Sequence, residues 1–137
     1  MKTILTVEES RRLIDLGVDP KLASATRYTI SETEEYCGYK REITVTYGYI
    51  NNYLSADSIF TLADILSILP KEIKTGVAIF HLNIDYPLVN QVAARYVDPD
   101  DVDNDILGKM CDEMIDALYH LLIDVIKRGY VQTNKDN

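Results

Sequence analysis

The sequence is short of the residues that mark most specialised architectures. It has no tryptophan, two cysteines, two histidines, four prolines and six glycines among 137 residues. So little glycine and proline excludes collagen-like and low-complexity chains, and a 47% hydrophobic fraction excludes intrinsic disorder. Cys37 and Cys111 form no CxxC pair, and His81 and His120 are far apart in sequence. Neither a disulfide scaffold nor a spaced set of metal ligands is therefore written into the chain, and the two thiols read as reduced cysteines. Basic side chains are the minority. The 14 Lys and Arg against 22 Asp and Glu leave a net charge of −8, which repels phosphate backbones. No run approaches the roughly 18 apolar residues of a membrane span. The opening MKTILTVEES lacks the apolar core of a secretory leader. The expectation is one cytoplasmic globular domain over residues 1–137, with 130–137 as a polar, frayed tail.

What is present is hydrophobic periodicity with clear punctuation. Thr6 and Glu9 have capping-box spacing, and Val7, Leu13, Ile14 and Leu16 form a stripe that ends at Gly17, which predicts a helix over roughly 7–16. Asp19 and Pro20 predict one short turn reaching Ala25. From Tyr28 the period shortens. Ile43, Val45, Tyr47 and Tyr49 alternate with Glu42, Thr44, Thr46 and Gly48, predicting a strand with its odd-numbered residues inward. Thr61 and Asp64 repeat the cap pattern ahead of Leu62, Ile65, Leu66 and Leu69, and Pro70 stops this second helix. Residues 77–84 and 91–97 are rich in strand formers and flank Asp85, Pro87 and Asn90, which predicts an antiparallel hairpin. Over 104–128 apolar residues recur at steps of three and four before Gly129, predicting one long C-terminal helix. The order ααβαββα is α+β, a small antiparallel sheet covered by N-terminal, middle and long C-terminal helices. Its core should join Leu66 and Leu118 to Ile43, Val45, Phe80 and Leu82.

The segments LTVEESRRLIDLGVDP, FTLADILSILPKEI and MIDALYHLLIDVIKRGY, in that order, resemble a family of small uncharacterised proteins encoded by phages, prophages and other mobile elements of gut anaerobic bacteria. The resemblance implies an accessory protein in a phage-like genomic setting, where many products act by binding other proteins. It implies no activity, cofactor or catalytic residue.

Residues 98–116 hold eight acids and one lysine, so this short run carries −7 of the −8. Asp101, Asp103 and Asp105 have the spacing of the first calcium-loop ligands, but Ile106 stands where the loop needs Gly, and Asp112 where it needs a longer Glu. The reading preferred here is that the acids gather ahead of a helix N-terminus, whose dipole favours negative charge. No metal and no cofactor is expected. The same patch could imitate a nucleic-acid backbone and occupy a DNA-binding protein. His120, with Asp116 and Asp124 one turn to either side, could orient an imidazole for base catalysis in a small enzyme or ligand-binding domain that also uses the acidic loop. No nucleophile stands at a recognisable spacing, however. Lys109, Glu113 and Lys127 share that face, which reads as a solvated stripe.

Two segments remain as candidate contact surfaces. Six of the ten tyrosines lie between Tyr28 and Tyr53, ending in YGYINNY, and Tyr with Gly, Asn and Ser suits a binding surface. Tyr47, Tyr49 and Tyr53 are its candidates, the alternative being that Tyr47 and Tyr49 pack on the helices. On the C-terminal helix, Leu107, Met114, Leu118, Leu121 and Val125 form one stripe, while Ile115, Tyr119, Ile123 and Ile126 form a second. Together they span about 200°, against the little over 100° that one core contact needs. Either the sheet and first helix cover the excess, or a twofold homodimer brings Tyr119 and Ile123 against their mates. The expected function is a non-enzymatic accessory protein that contacts an unidentified protein partner or itself, with no membrane association and no direct nucleic-acid binding.

Overall fold

The computed structural model describes residues 1–31, 40–45 and 53–131, and within them short-range signals set most helix ends. Helix α1 (Val7–Asp15) starts at a reciprocal capping box. The Glu9 N–H donates to Thr6 Oγ1 at 3.1 Å, and the Thr6 N–H donates to Glu9 Oε1 at 2.9 Å. Gly17, at φ 106°, closes it: the Gly17 N–H donates to the Ile14 carbonyl at 2.9 Å and the Val18 N–H to the Leu13 carbonyl at 3.0 Å. A single 3₁₀ turn follows at Pro20–Leu22, capped by Asp19.

Two antiparallel sheets come next in the chain. The first is built from β1 (Ala25–Ser31), β2 (Lys40–Val45) and β3 (Tyr53–Ile59), with β1 in the middle. Helix α2 (Leu62–Ile68) then starts at a second capping box made by Thr61 and Asp64. The second sheet is a meander in the order β4 (Glu72–Lys74), β5 (Ile79–Leu88), β6 (Gln91–Asp98) and β7 (Asp101–Cys111). Helix α3 (Met114–Lys127) ends the described fold, with Gly129 at φ 77° receiving the chain as it leaves the helix. The fold is α+β, as expected, with the two helices at 7–15 and 62–68 and the β5–β6 hairpin where the periodicity puts them.

Three expectations need correction. The long C-terminal helix over 104–128 is two elements, because β7 occupies 101–111 and the helix begins only at Met114. Gly108 counts against a helix over the first half of that segment, since it would sit mid-helix at a cost of about 1 kcal/mol against Ala. As a strand, it places Leu107 opposite Tyr96 and Cys111 opposite Val92 on the buried face of the sheet. Gly108 lies opposite Arg95, so close that an added Cβ would come within 3.2 Å of the Arg95 Cβ. Cys111 is accordingly a strand residue. The acids of 98–105 do not precede a helix either; they form the β6–β7 turn and the start of β7, so the helix dipole is not what gathers them. Finally, one sheet is two, since β1 and β3 build a three-stranded sheet that the alternation at 43–49 did not reveal. Tyr47, Tyr49 and Cys37 lie outside the described residues, as do the side chains of Ile43, Val45 and Tyr53.

The main core surrounds α3. Leu13 and Val18 from the N-terminal segment, Phe60, Ile65 and Leu69 around α2, and Ile73, Phe80, Ala94, Tyr96 and Leu107 from the second sheet are buried in one cluster with it. Tyr96 is wholly inside, and its hydroxyl donates to the Pro70 carbonyl at 2.7 Å; burial pushes this phenol well above its ordinary pKa. A smaller cluster of Val7, Ala25 and Ile59 joins α1 to the first sheet. Asp64 fastens that sheet to α2. Its carboxylate accepts from the Thr61 N–H at 2.9 Å, the Ser24 N–H at 2.8 Å and the Ser24 hydroxyl. A buried charge needs such partners, and this one has three.

Leu118 is fully buried, whereas Leu66 is only half-buried beside Ile4 in a surface groove. Leu118→Ala is therefore expected to cost about 3–5 kcal/mol in chemical denaturation, and Leu66→Ala only about 1–2 kcal/mol. Equal costs would contradict this placement of the core.

Candidate functional site

The described residues that expose large apolar side chains concentrate on the second sheet and its turns. The β5–β6 hairpin shows this most clearly. Strand β4 pairs with β5 only over Ile79 to His81, so β5 runs on toward the hairpin without that neighbour. Pro87 fits this position, because a strand residue with no neighbour on one side needs no backbone donor there. Asn90 turns the chain at φ 64°, a left-handed conformation that Asn tolerates better than most residues. Between them the hairpin end presents Tyr86, Leu88 and Val89, which are 67%, 64% and 88% exposed.

Behind this end lies a groove of about 360 Å³, bounded by Tyr86, Asn90, Gln91 and Val92 on one side and by Met1, Asp112, Glu113 and Met114 on the other. Its walls are tied together. The Gln91 side-chain amide donates to Asp112 Oδ1 at 3.0 Å, and the Lys2 backbone N–H donates to Glu113 Oε2 at 3.2 Å. The Lys2 ammonium reaches Asp116 at 2.7 Å and Glu9 at 3.0 Å, joining the N-terminal segment to α1 and α3. Burial opposes the charge on both Lys2 and Glu9. Even so, the hydrogen bonds to Asp116 and Glu9 hold the ammonium above its ordinary pKa, and those from Thr6 and Lys2 hold the Glu9 carboxyl below its own.

The acids of 98–116 divide into two groups at the ends of β7. Asp98, Asp100, Asp101, Asp103 and Asp105 lie at the β6–β7 turn, while Asp112, Glu113 and Asp116 lie past the other end. The Arg95 guanidinium is 3.6 Å from Asp105 and 3.8 Å from Asp85, and donates to the Val102 carbonyl at 3.2 Å. Asp101 faces Asp98 and Asp105 faces Val97, so residues 102–104 bulge out of the β6 ladder. Among the described residues no group of three or more His, Cys, Asp or Glu side chains is placed to hold a metal.

The remaining sequence candidates separate in the same way. His120 is exposed, with its ring edge-on to Tyr119 at 5.1 Å, and neither flanking acid pairs with it. Asp116 pairs with Lys2, and Asp124 with Lys109 at 3.0 Å, so the two carboxylates that would have oriented this imidazole serve as structural ties. Tyr119, Ile123 and Ile126, the candidate dimer surface, are buried in the chain's own core. Burial, reinforced by the nearby Glu9 charge, raises the Tyr119 phenol. The wide apolar arc is thus covered within the monomer, and these three residues are not an accessible contact surface. Tyr53 opens β3. Sequence reasoning passed over the hairpin end, although a signal was there: Tyr86, Pro87, Leu88 and Val89 put four apolar residues where a turn normally carries polar ones.

No protein-family model, curated protein or solved structure matches this chain. No helix among the described residues is long and apolar enough to cross a membrane.

The Lys2 tie gives the stability a defined pH dependence. The Glu9 carboxyl titrates lower in the folded chain than in the unfolded one. Its contribution is therefore complete above about pH 5 and is lost as pH falls through the folded value. The Lys2 ammonium titrates higher when folded, so its contribution holds below about pH 10 and is lost as pH rises through the folded value. Lys2→Met is expected to cost about 1–2 kcal/mol at pH 7 and progressively less below about pH 4, measured by urea denaturation across pH. A cost that stays constant down to about pH 3 would show that the charges do not make this tie.

Proposed function

We propose that this chain is a non-enzymatic, cytoplasmic accessory protein of the kind carried by phages and mobile elements, and that it acts by holding another protein with the end of its β5–β6 hairpin. The observation that carries this reading is the exposure of Tyr86, Leu88 and Val89 together at one protruding turn. Burying a side chain of this size is worth about 1.5–3 kcal/mol, a gain that the three side chains at this turn leave unused. Contiguous apolar groups left in water mark a surface that something else covers. Tyrosine at the centre of such a patch supplies area at low entropy cost and a hydroxyl that finds a partner. The groove behind the hairpin gives the contact depth, since Met1 and Met114 are flexible, polarisable walls that adapt to an inserted side chain.

The alternatives draw less support from the geometry. An enzyme built on His120 would need Asp116 or Asp124, and both are committed to lysines. A DNA mimic would need its charges arrayed over one surface, whereas the acids here fall at opposite ends of β7.

The test is a triple variant, Tyr86→Ser, Leu88→Ser and Val89→Ser, compared with the parent chain in affinity capture from the native host. The variant should keep its stability to within about 0.5 kcal/mol per site, because these groups contact little of the fold. The captured partner should be lost. Equal recovery of the same partner by both chains would rule out the hairpin contact.

A further inference from the structure

We propose that the free edge of β7 accepts an extended, cationic segment of another protein as a fifth strand of the second sheet. This goes beyond the hairpin contact, which lies on β5 and β6. Strand β7 is eleven residues long and, among the described residues, pairs with β6 on one side only. Over 107–111 the β6 ladder runs without a shift, from Tyr96 opposite Leu107 to Val92 opposite Cys111. The outer backbone groups of this stretch have no backbone partner among the described residues. Among the described residues, the hydrogen bonds to the β7 backbone apart from the ladder are at its start, where the Asp103 N–H donates to Asp101 Oδ1 at 3.2 Å and Arg95 donates to the Val102 carbonyl. A row of unpaired N–H and C=O groups on an edge strand is a template for another strand.

The charge along this edge selects the occupant. Residues 98–105 contain five Asp and no Lys or Arg. Arg95 reaches one of them, Asp105, and the single base of β7, Lys109, is held by Asp124. A second copy of this chain would bring only the same acid-rich strand, with no uncommitted base to set against these carboxylates. A strand bearing Lys or Arg toward 101–105 would be attracted. Val102 and Met110, each more than half exposed, offer apolar contact to the alternate side chains of such a strand. The acids alone would make only a solvated patch; the open ladder beside them makes a strand acceptor with a sign preference.

The experiment selects binders from a random peptide library on the full chain. Amide hydrogen exchange is then followed with the best synthetic peptide. Selected peptides should be rich in Lys or Arg, should slow exchange within 107–111, and should leave the hairpin end unchanged. They should bind at least about five-fold more weakly to the Asp101→Asn, Asp103→Asn, Asp105→Asn variant, and more weakly still in high salt. These Asp side chains are exposed, so the variant keeps its fold, which a matching denaturation midpoint checks. Peptides that are neutral or acidic, protection confined to the hairpin end, no enrichment at all, or protection that grows with the chain's own concentration would each overturn the proposal. The serine variant of the hairpin should bind these peptides normally, which separates failure of the edge from failure of the hairpin contact.

Discussion

Helix α3 carries apolar side chains around most of its circumference, and the rest of the molecule is arranged by the need to cover it. Nine of its fourteen residues are buried, among them Ile115, Leu118, Tyr119, Leu122 and Val125, which point in different directions from the axis. A helix that is hydrophobic all round is stable only as the centre of a core. The second sheet takes one side through Tyr96 and Leu107, α2 takes another through Ile65 and Leu69, and the N-terminal segment closes over the rest through Leu5 and Leu13. This demand commits one face of the sheet to the interior. The outer side chains of β7 and the end of the β5–β6 hairpin are among what it leaves exposed.

A few polar ties fix where these layers meet. Asp64 holds α2 to the approach to β1 with hydrogen bonds from Ser24 and Thr61, and the buried Ser10 hydroxyl accepts from the Phe60 N–H at 3.2 Å. Lys2 links the N-terminal segment, α1 and α3 in one cluster, and Arg11 of α1 reaches Asp57 of β3 at 2.8 Å. Among the described residues no buried side-chain polar atom lacks a partner, so these groups specify the packing without leaving an unpaired charge behind.

The parts legible in the sequence were those whose cause is local. The capping boxes at Thr6 and Thr61 mark two helix starts, Gly17 and Gly129 mark two helix ends, and the hairpin around Asn90 follows from strand formers flanking turn residues. What sequence alone misread depends on distant partners. Ile106, Leu107 and Met110 fit a helical period as well as a strand; Gly108 is a weak local signal against the helix, and the ladder with β6 decides between them. The N-cap of helix α3 is Glu113, whose side chain makes no cap bond, so nothing local announced the helix start at Met114. The first sheet was hidden because β3 mixes polar residues with its apolar ones and gains its place by pairing with β1. Tyr119 and Ile123 were plausible contact residues only while the covering of α3 was unknown.

The covering of α3 by its own chain is best tested with Ile123→Lys, followed by light scattering and circular dichroism on parent and variant. Ile123 is buried, so the account expects the lysine to abolish cooperative folding, as an unpaired charge in a core does. A parent chain that is dimeric at tens of micromolar, and an Ile123→Lys variant that is a folded monomer of nearly unchanged stability, would contradict it.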